Sequence, residues 1–414
     1  MNAGRRGGGR CLPFAAMVLG LACGRAPSEG GDGQAAAEPP PRAKAADDGE
    51  HGGPPSPPPV RKDGTVYAEG VLMGTRVSFN VWLPPGRTAT DAAAAMEAAF
   101  GEIERIEGVL SEWQPNTELS RLNAAARRGP LHEVPVSEDL WTVLVAARKV
   151  SEASGGAFDV TFHGVGRLWS FEPGARPPSR TAIDQALEVV GYEHVILHDD
   201  SKSISIDRTG VQIGLGAIAK GYAVDRASAV LADRGFRRHI VEAGGDTYVS
   251  GRKGVRPWVV GVQDPDAPGP IGVLEVEDRA VVTSGDYQRF FEYEGRRYAH
   301  ILDPTTGQPV PEERAPRSVT VVGPSAMLAD AYATAVAVLG IERGVALVEQ
   351  TPGLDAVVID RAGRVHVTGG LASTFRLVRP HDDPGHEGGA HAAQRGPRSA
   401  DGHAGVERSP RGGT

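Results

Sequence analysis

Asp330 and Thr334, in the run Ala329-Asp330-Ala331-Tyr332-Ala333-Thr334, have i,i+4 spacing, which on a helix stacks a carboxylate and a hydroxyl on one face. Two hard oxygen donors so placed suit Mg²⁺, which commonly takes one or two protein carboxylates and completes its shell with water and nucleotide phosphates. The same pair also fits a solvated helix face or an N-cap. Leu328, Ala331, Ala335, Val338 and Leu339 form an apolar stripe, so this helix is packed and a carboxylate near that stripe needs a partner. A short way upstream comes His300-Ile301-Leu302-Asp303-Pro304-Thr305-Thr306-Gly307. His300 ends a strand-like segment and projects into a loop. An imidazole that titrates near neutrality is a natural general base for a hydroxyl nucleophile, and an isolated histidine is also often a hydrogen-bonded structural residue.

Three further runs offer polar groups at turns. Gly214-Leu215-Gly216-Ala217-Ile218-Ala219-Lys220-Gly221 lies where a strand gives way to a helix, so its backbone N–H groups can approach an anion and Lys220 can reach a phosphate. A turn that needs glycine only for its positive φ reads the same way. Glu242-Ala243-Gly244-Gly245-Asp246 reads as a tight turn between strands, and Thr283-Ser284-Gly285-Asp286-Tyr287 as a turn carrying two hydroxyls and a carboxylate.

The elements that must position these groups read as α+β, in two intimately packed mixed α/β lobes with no clean linker between them. Alternation over 71–82 predicts a strand, and Met96, Phe100, Ile103, Ile106 and Leu110 recur at helical spacing after it. Ser137 with Glu138 and Asp139 starts a helix that Gly155-Gly156 stops. Residues 195–206 predict a hairpin turning at Asp199-Asp200, 211–215 a short strand, and 220–235 a helix. Strands follow over 240–243, 248–251, 259–263, 273–276 and 290–301, the last turning at Gly295, and 356–368 closes as a hairpin.

The two ends differ in kind from this middle. In a chain of 414 residues with net charge −8, nothing points to nucleic acid. Arg5, Arg6 and Arg10 precede an apolar stretch over 11–22 that has the build of an export signal and is short for a membrane span. Leu21-Ala22-Cys23 resembles a bacterial lipoprotein processing site, and the two cysteines, Cys11 and Cys23, both fall in this segment. The expected organisation is a signal over 1–22, a Pro/Gly-rich tether over 23–62, a folded domain over 63–377 and a polar tail over 378–414. Lipid on Cys23 would hold the domain at the periplasmic side of a bacterial membrane.

Taken in order, the short motifs resemble those of the FAD:protein FMN transferases, which move FMN from FAD onto a Thr or Ser hydroxyl of a target protein. Met73-Gly74-Thr75, Ser120-Arg121-Leu122-Asn123, Gly156-Ala157-Phe158-Asp159 with Leu168-Trp169, and the Lys220-Gly221 turn carry the first half of the likeness. Gly244-Gly245-Asp246, Thr283 to Asp286, His300 to Gly307 and Ala329 to Thr334 carry the second. The resemblance implies FAD contacts at Met73, Ala157, Phe158, Asp159, Gly214, Lys220 and Ile301, and Mg²⁺ held by the Ala217 carbonyl, Asp330 and Thr334. For that reaction His300 is the candidate that accepts the hydroxyl proton, and Asp286 a second candidate that orients substrate. Two departures stand out: Gly214 occupies a position where the family often has Asp, and His163-Gly164-Val165 replaces Gly-Pro-Leu. The implied partners are FAD, an acceptor protein bearing a Thr or Ser motif, and the membrane. The alternatives are an FAD pyrophosphatase releasing FMN and AMP, and a non-catalytic FAD-binding lipoprotein. No segment resembles the family's acceptor pattern, so self-modification is not predicted.

Overall fold

The computed structural model describes residues 58–172, 174–286 and 289–378. The expected signal, Cys23, the tether up to residue 57 and the tail from residue 379 lie outside the described residues. The strands are β1 (Thr65–Leu72), β2 (Thr75–Trp82), β3 (Leu131–Pro135), β4 (Val195–His198), β5 (Ser203–Ile206), β6 (His239–Ala243), β7 (Asp246–Ser250), β8 (Trp258–Gln263), β9 (Pro270–Val276), β10 (Arg279–Gly285), β11 (Phe290–Tyr293), β12 (Arg296–Ala299), β13 (Ser318–Gly323), β14 (Asp355–Ile359), β15 (Val365–Val367) and β16 (Phe375–Leu377). The helices are α1 (Ala89–Leu110), α2 (Glu118–Ala126), α3 (Glu138–Ser154), α4 (His163–Gly166), α5 (Arg180–Leu187), α6 (Ala219–Asp233), α7 (Ala326–Leu339) and α8 (Ile341–Gln350).

An eight-stranded sheet in the order β1-β2-β6-β7-β10-β13-β14-β15, antiparallel at every join, organises these elements as the α+β reading expects. Because strand side chains alternate between faces, neighbouring residues feed different cores. Ala280, Val282, Val319, Val321, Ala356 and Val358 face a core shared with α1, α3, α6 and α7. Val281, Val322, Val357 and Ile359 face a second core with Trp258, Val262, Ile271 and Leu274 of the β16-β9-β8 sheet. A sheet covered on both sides explains why β13, buried at every residue, carries no polar alternation to announce it.

Local sequence sets the helix ends. Thr88 and Asp91 form a reciprocal capping box at the start of α1, and its stripe Met96, Ala99, Ile103, Ile106 and Leu110 is buried. Ser137 caps α3, and Gly155 ends it in the left-handed region with φ +61°. The structure departs from the reading at 71–82, where two strands meet through a turn at Met73 (φ +51°) and Gly74 (φ +69°). A type I′ hairpin turn needs positive φ at both central positions, as here, and a Met-Gly pair gives a weak signal for one. The strand expected over 211–215 is a single parallel bridge, Gln212 beside Phe162.

Candidate active site

Two helices cross at the centre of the site. Gly221 of α6 lies so close to α7 that a Cβ built on it would stand 2.2 Å from the Ala326 carbonyl oxygen. Asp225, one turn further along α6, accepts from Ser325 Oγ (2.7 Å), Ala326 N (2.8 Å) and Met327 N (3.0 Å), so one helix caps the start of the other. This clamp fixes Lys220 against Asp330. Lys220 Nζ donates to Asp330 Oδ2 at 3.1 Å and to Asp246 Oδ2 at 2.8 Å. Asp330 and Asp246 are 3% and 2% exposed, so both carboxylates are almost wholly out of water.

Asp246 reaches this position through strand register. Gly244 and Gly245 form the β6–β7 turn with φ +56° and +98°, and a Cβ on Gly244 would meet Thr75 Oγ1 at 2.4 Å. The β1–β2 turn bearing Met73 therefore abuts the β6–β7 turn bearing Asp246 at one end of the main sheet. Met73 sits in a conformation that costs a non-glycine residue about 1 kcal/mol. The turn that sequence reading left as a plain connection thus supplies the second carboxylate, a role hidden from sequence because it depends on which strands pair.

The charges here do not balance. Burial first, and then the Asp330 carboxylate, push Asp246 well above the ordinary carboxylate range despite Lys220. Burial alone would push the Lys220 amine down, and the two carboxylates outweigh it and hold it above its usual value. With both carboxylates ionised, the single ammonium leaves one negative charge, which a bound cation would offset. Among the described residues, neither the Thr334 hydroxyl nor the Ala217 carbonyl has a hydrogen-bond partner; Thr334 lies one turn beyond Asp330 within α7, and Ala217 lies three residues before Lys220, just ahead of α6. No group of three or more His, Cys, Asp or Glu that could hold a metal occurs among the described residues. The donors present are hard oxygens, few in number, which fits Mg²⁺ completed by substrate phosphates.

His300 follows β12. Its backbone N–H and its Nδ1 both lie 3.1 Å from the Arg289 carbonyl oxygen, which assigns the ring proton to Nδ1 and leaves Nε2 as an acceptor. Burial pushes its pKa below the ordinary histidine value, so the ring is neutral and ready to take a proton. Phe171 packs edge-on at 6.3 Å between ring centroids. The loop beyond is pinned by Asp303, which accepts from Thr305 N at 2.9 Å and pairs with Arg314, and by Trp169 Nε1, which donates to the Gly307 carbonyl at 3.0 Å. Ile301 and Ala157 meet in one small apolar cluster with Val310, Val338 and Leu339, which ties the Ala157 segment to this loop and to the end of α7.

Several expected contacts are differently employed. Asp286, 1% exposed, receives Arg317 at 2.8 Å on one oxygen and Arg361 at 2.5 Å on the other, so its carboxylate anchors two arginines in this structure. Asp159 accepts from Thr161 N (2.7 Å), Thr161 Oγ1 (2.6 Å) and Tyr192 N (2.9 Å), which makes its carboxylate a loop fastener. Phe158 is buried in the main core. Lys220 is spent on carboxylates where a phosphate had been expected. The glycine-rich turn faces the protein's own Glu112 carboxyl, whose pKa burial raises while the backbone N–H groups at Leu215 and Gly216 favour its charged form. Glu112 follows the last turn of α1 and carries no sequence signal for this.

A family model described as the ApbE family matches residues 73–358. A Treponema pallidum protein named FAD:protein FMN transferase is 35% identical over 309 residues, spanning 70% of this chain and 84% of the relative. The crystal structure of the ApbE protein from Thermotoga maritima superposes with a TM-score of 0.66 at 32% identity, covering 74% of this chain and 97% of that one. The flavin transferase ApbE from Vibrio cholerae gives 0.65 at 29% identity, covering 75% and 99%.

Proposed function

Because this chain belongs to the ApbE family and is a flavin transferase, we propose that it moves FMN from FAD onto a Thr or Ser hydroxyl of a target protein, releasing AMP, with Mg²⁺ as its metal. The observation that carries this reading is the buried Asp246–Lys220–Asp330 cluster beside the unpartnered Thr334 hydroxyl and Ala217 carbonyl. Mg²⁺ held by Asp330, Thr334 and the Ala217 carbonyl would neutralise the pyrophosphate and stabilise charge on the leaving AMP.

The chain's own groups do the rest. Nε2 of His300 accepts the proton of the acceptor hydroxyl, whose oxygen then bonds to the FMN phosphorus as the bond from that phosphorus to the AMP oxygen breaks. The Arg289 carbonyl holds the ring in the tautomer this needs. Lys220 keeps a positive charge at the centre of the site, and the rigid Met73–Gly74 turn and the Ala157–Ile301 cluster give the flavin fixed apolar surfaces. The same proposal places the enzyme outside the cytoplasmic membrane, held by lipid on Cys23. Fatty-acid labelling of the wild type with none in Cys23→Ser supports that placement, and equal labelling removes it.

The test of the reaction is to incubate the protein with FAD, Mg²⁺ and a peptide bearing an Asp, Thr or Ser, Ala, Thr acceptor pattern. A peptide mass gain matching FMN with an equal yield of AMP is the expected result. AMP and free FMN without peptide labelling identifies a pyrophosphatase, and intact bound FAD identifies a carrier.

A further inference from the structure

The two places where the sequence departs from the family pattern meet in space. Residues around 160–162 run beside 212–214: Phe162 bridges Gln212, and Gly214 N donates to the Val160 carbonyl at 2.8 Å. This register sets His163 against Gly214. The backbone at Gly214 is outside the left-handed region, so its conformation does not call for glycine. A side chain is excluded by His163 instead, since a Cβ built on Gly214 would lie 2.8 Å from His163 Cβ and Nδ1 and 2.9 Å from Cγ. Rotating the ring would not relieve the contact, because His163 Cβ is itself one of the colliding atoms. The imidazole stands where a side chain on residue 214 would stand.

Among the described residues, the His163 imidazole makes no hydrogen bond, and the residue's carbonyl accepts only from Arg167 N at 3.0 Å. Its ring contact is Trp113, edge-on at 5.9 Å between centroids, and Trp113 is 63% exposed. The same molecule shows what a structural histidine looks like: His239, fully buried, has Nδ1 at 2.6 Å from the Phe236 carbonyl and Nε2 at 2.8 Å from Ser228 Oγ. His163 has the opposite character, a half-buried ring with a free donor and a free acceptor beside the turn that leads into Lys220. Burial, then the Arg167 and Arg127 charges, lower its pKa to about 4, so the ring is neutral under physiological conditions.

We propose that His163 recognises the nucleotide in this enzyme: its imidazole hydrogen-bonds a hydroxyl or ring nitrogen of FAD at the place a side chain on residue 214 would otherwise serve, and Gly214 is glycine in order to seat it. The inference rests on the flavin-transferase reading. A neutral group that both donates and accepts here stands in for a carboxylate, so the site reads the same dinucleotide without adding negative charge near the pyrophosphate.

The test uses the full chain with FAD as probe, and FMN and AMP separately to tell which half is read. In His163→Ala the dissociation constant for FAD should rise about five- to tenfold, the change appearing in KM for FAD more than in kcat, while the thermal midpoint of the unliganded protein changes little. Gly214→Asp alone should lose both stability and FAD binding through the collision. The double variant His163→Gly/Gly214→Asp should regain both, a departure from additivity that only a shared volume produces. FAD binding by His163→Ala equal to wild type, or weakened only in step with lost stability, overturns the inference. Wild type that binds no FAD overturns the flavin-transferase reading itself, so the two failures are distinguishable.

Discussion

At the scale of single residues, chemistry was legible wherever partners lie close in sequence. Asp330 and Thr334 share a helix face by i,i+4 spacing, and His300 announces itself at the end of a strand. Replacing His300 by Gln should therefore lower kcat by about 10²- to 10⁴-fold with little change in FAD affinity, read from AMP release and flavin binding on the same preparation. Comparable losses in both would make His300 a binding residue. Partners joined by tertiary packing stayed hidden: Asp246 depends on strand pairing, Asp225 on a helix crossing and Glu112 on the fold of a turn. Asp286 and Asp159 show the reverse, since in sequence a carboxylate at a turn looks the same whether it meets substrate or, as here, arginines and backbone N–H groups. A buried histidine also sets a pH limit. Burial lowers the His239 pKa from 6.5 to about 4. The unfolded chain thus takes up a proton that the folded one refuses, and the stability from this group, full above pH 6.5, is lost as pH falls towards 4. That component is on the order of 3 kcal/mol. Thermal midpoints of His239→Gln across the same range should fall less steeply than those of wild type, and parallel curves would remove the assignment.

At the scale of elements, the helix and strand periods located most of the fold, because α1 and α3 each turn one apolar face inward, α7 is buried on nearly every side, and most strands alternate. The exceptions have physical causes. The strand read over 71–82 runs across the hairpin turn and misses most of β1 since Met73 is a poor marker of a turn, and β13 escaped since both of its faces are buried. The element that matters most to the site is the α6–α7 crossing. Gly221→Ala places a methyl carbon 2.2 Å from a backbone oxygen, so the helices must separate. Overpacking of this kind costs typically about 1 to 3 kcal/mol. It also moves Lys220 away from Asp330. The expected outcome is a lower denaturation midpoint together with a loss of activity greater than the loss of folded protein. Activity that survives in proportion to folding would show that the site tolerates the shift.

At the scale of the whole molecule, the site is a meeting of distant segments: Lys220 and Asp330 are separated by 110 residues. Ligands that need this assembly should stabilise all of it. FAD with Mg²⁺ at about 100 times its dissociation constant should add roughly 2.7 kcal/mol to the folded state, visible as a raised thermal midpoint. In Asp330→Ala the increment due to Mg²⁺ should vanish and metal-dependent turnover with it, whereas an undiminished increment would move the metal elsewhere. The sheet order has a consequence for synthesis. β2 pairs with β6, and Ser78 meets Glu242 across 164 residues of chain. At translation speeds of about 5 to 20 residues per second, the first hairpin waits on the order of 10 to 30 s with one strand edge open. The flavin site, which needs α7 as well, forms only late in synthesis, so a nascent chain carries no nucleotide chemistry until nearly all of the domain has been made.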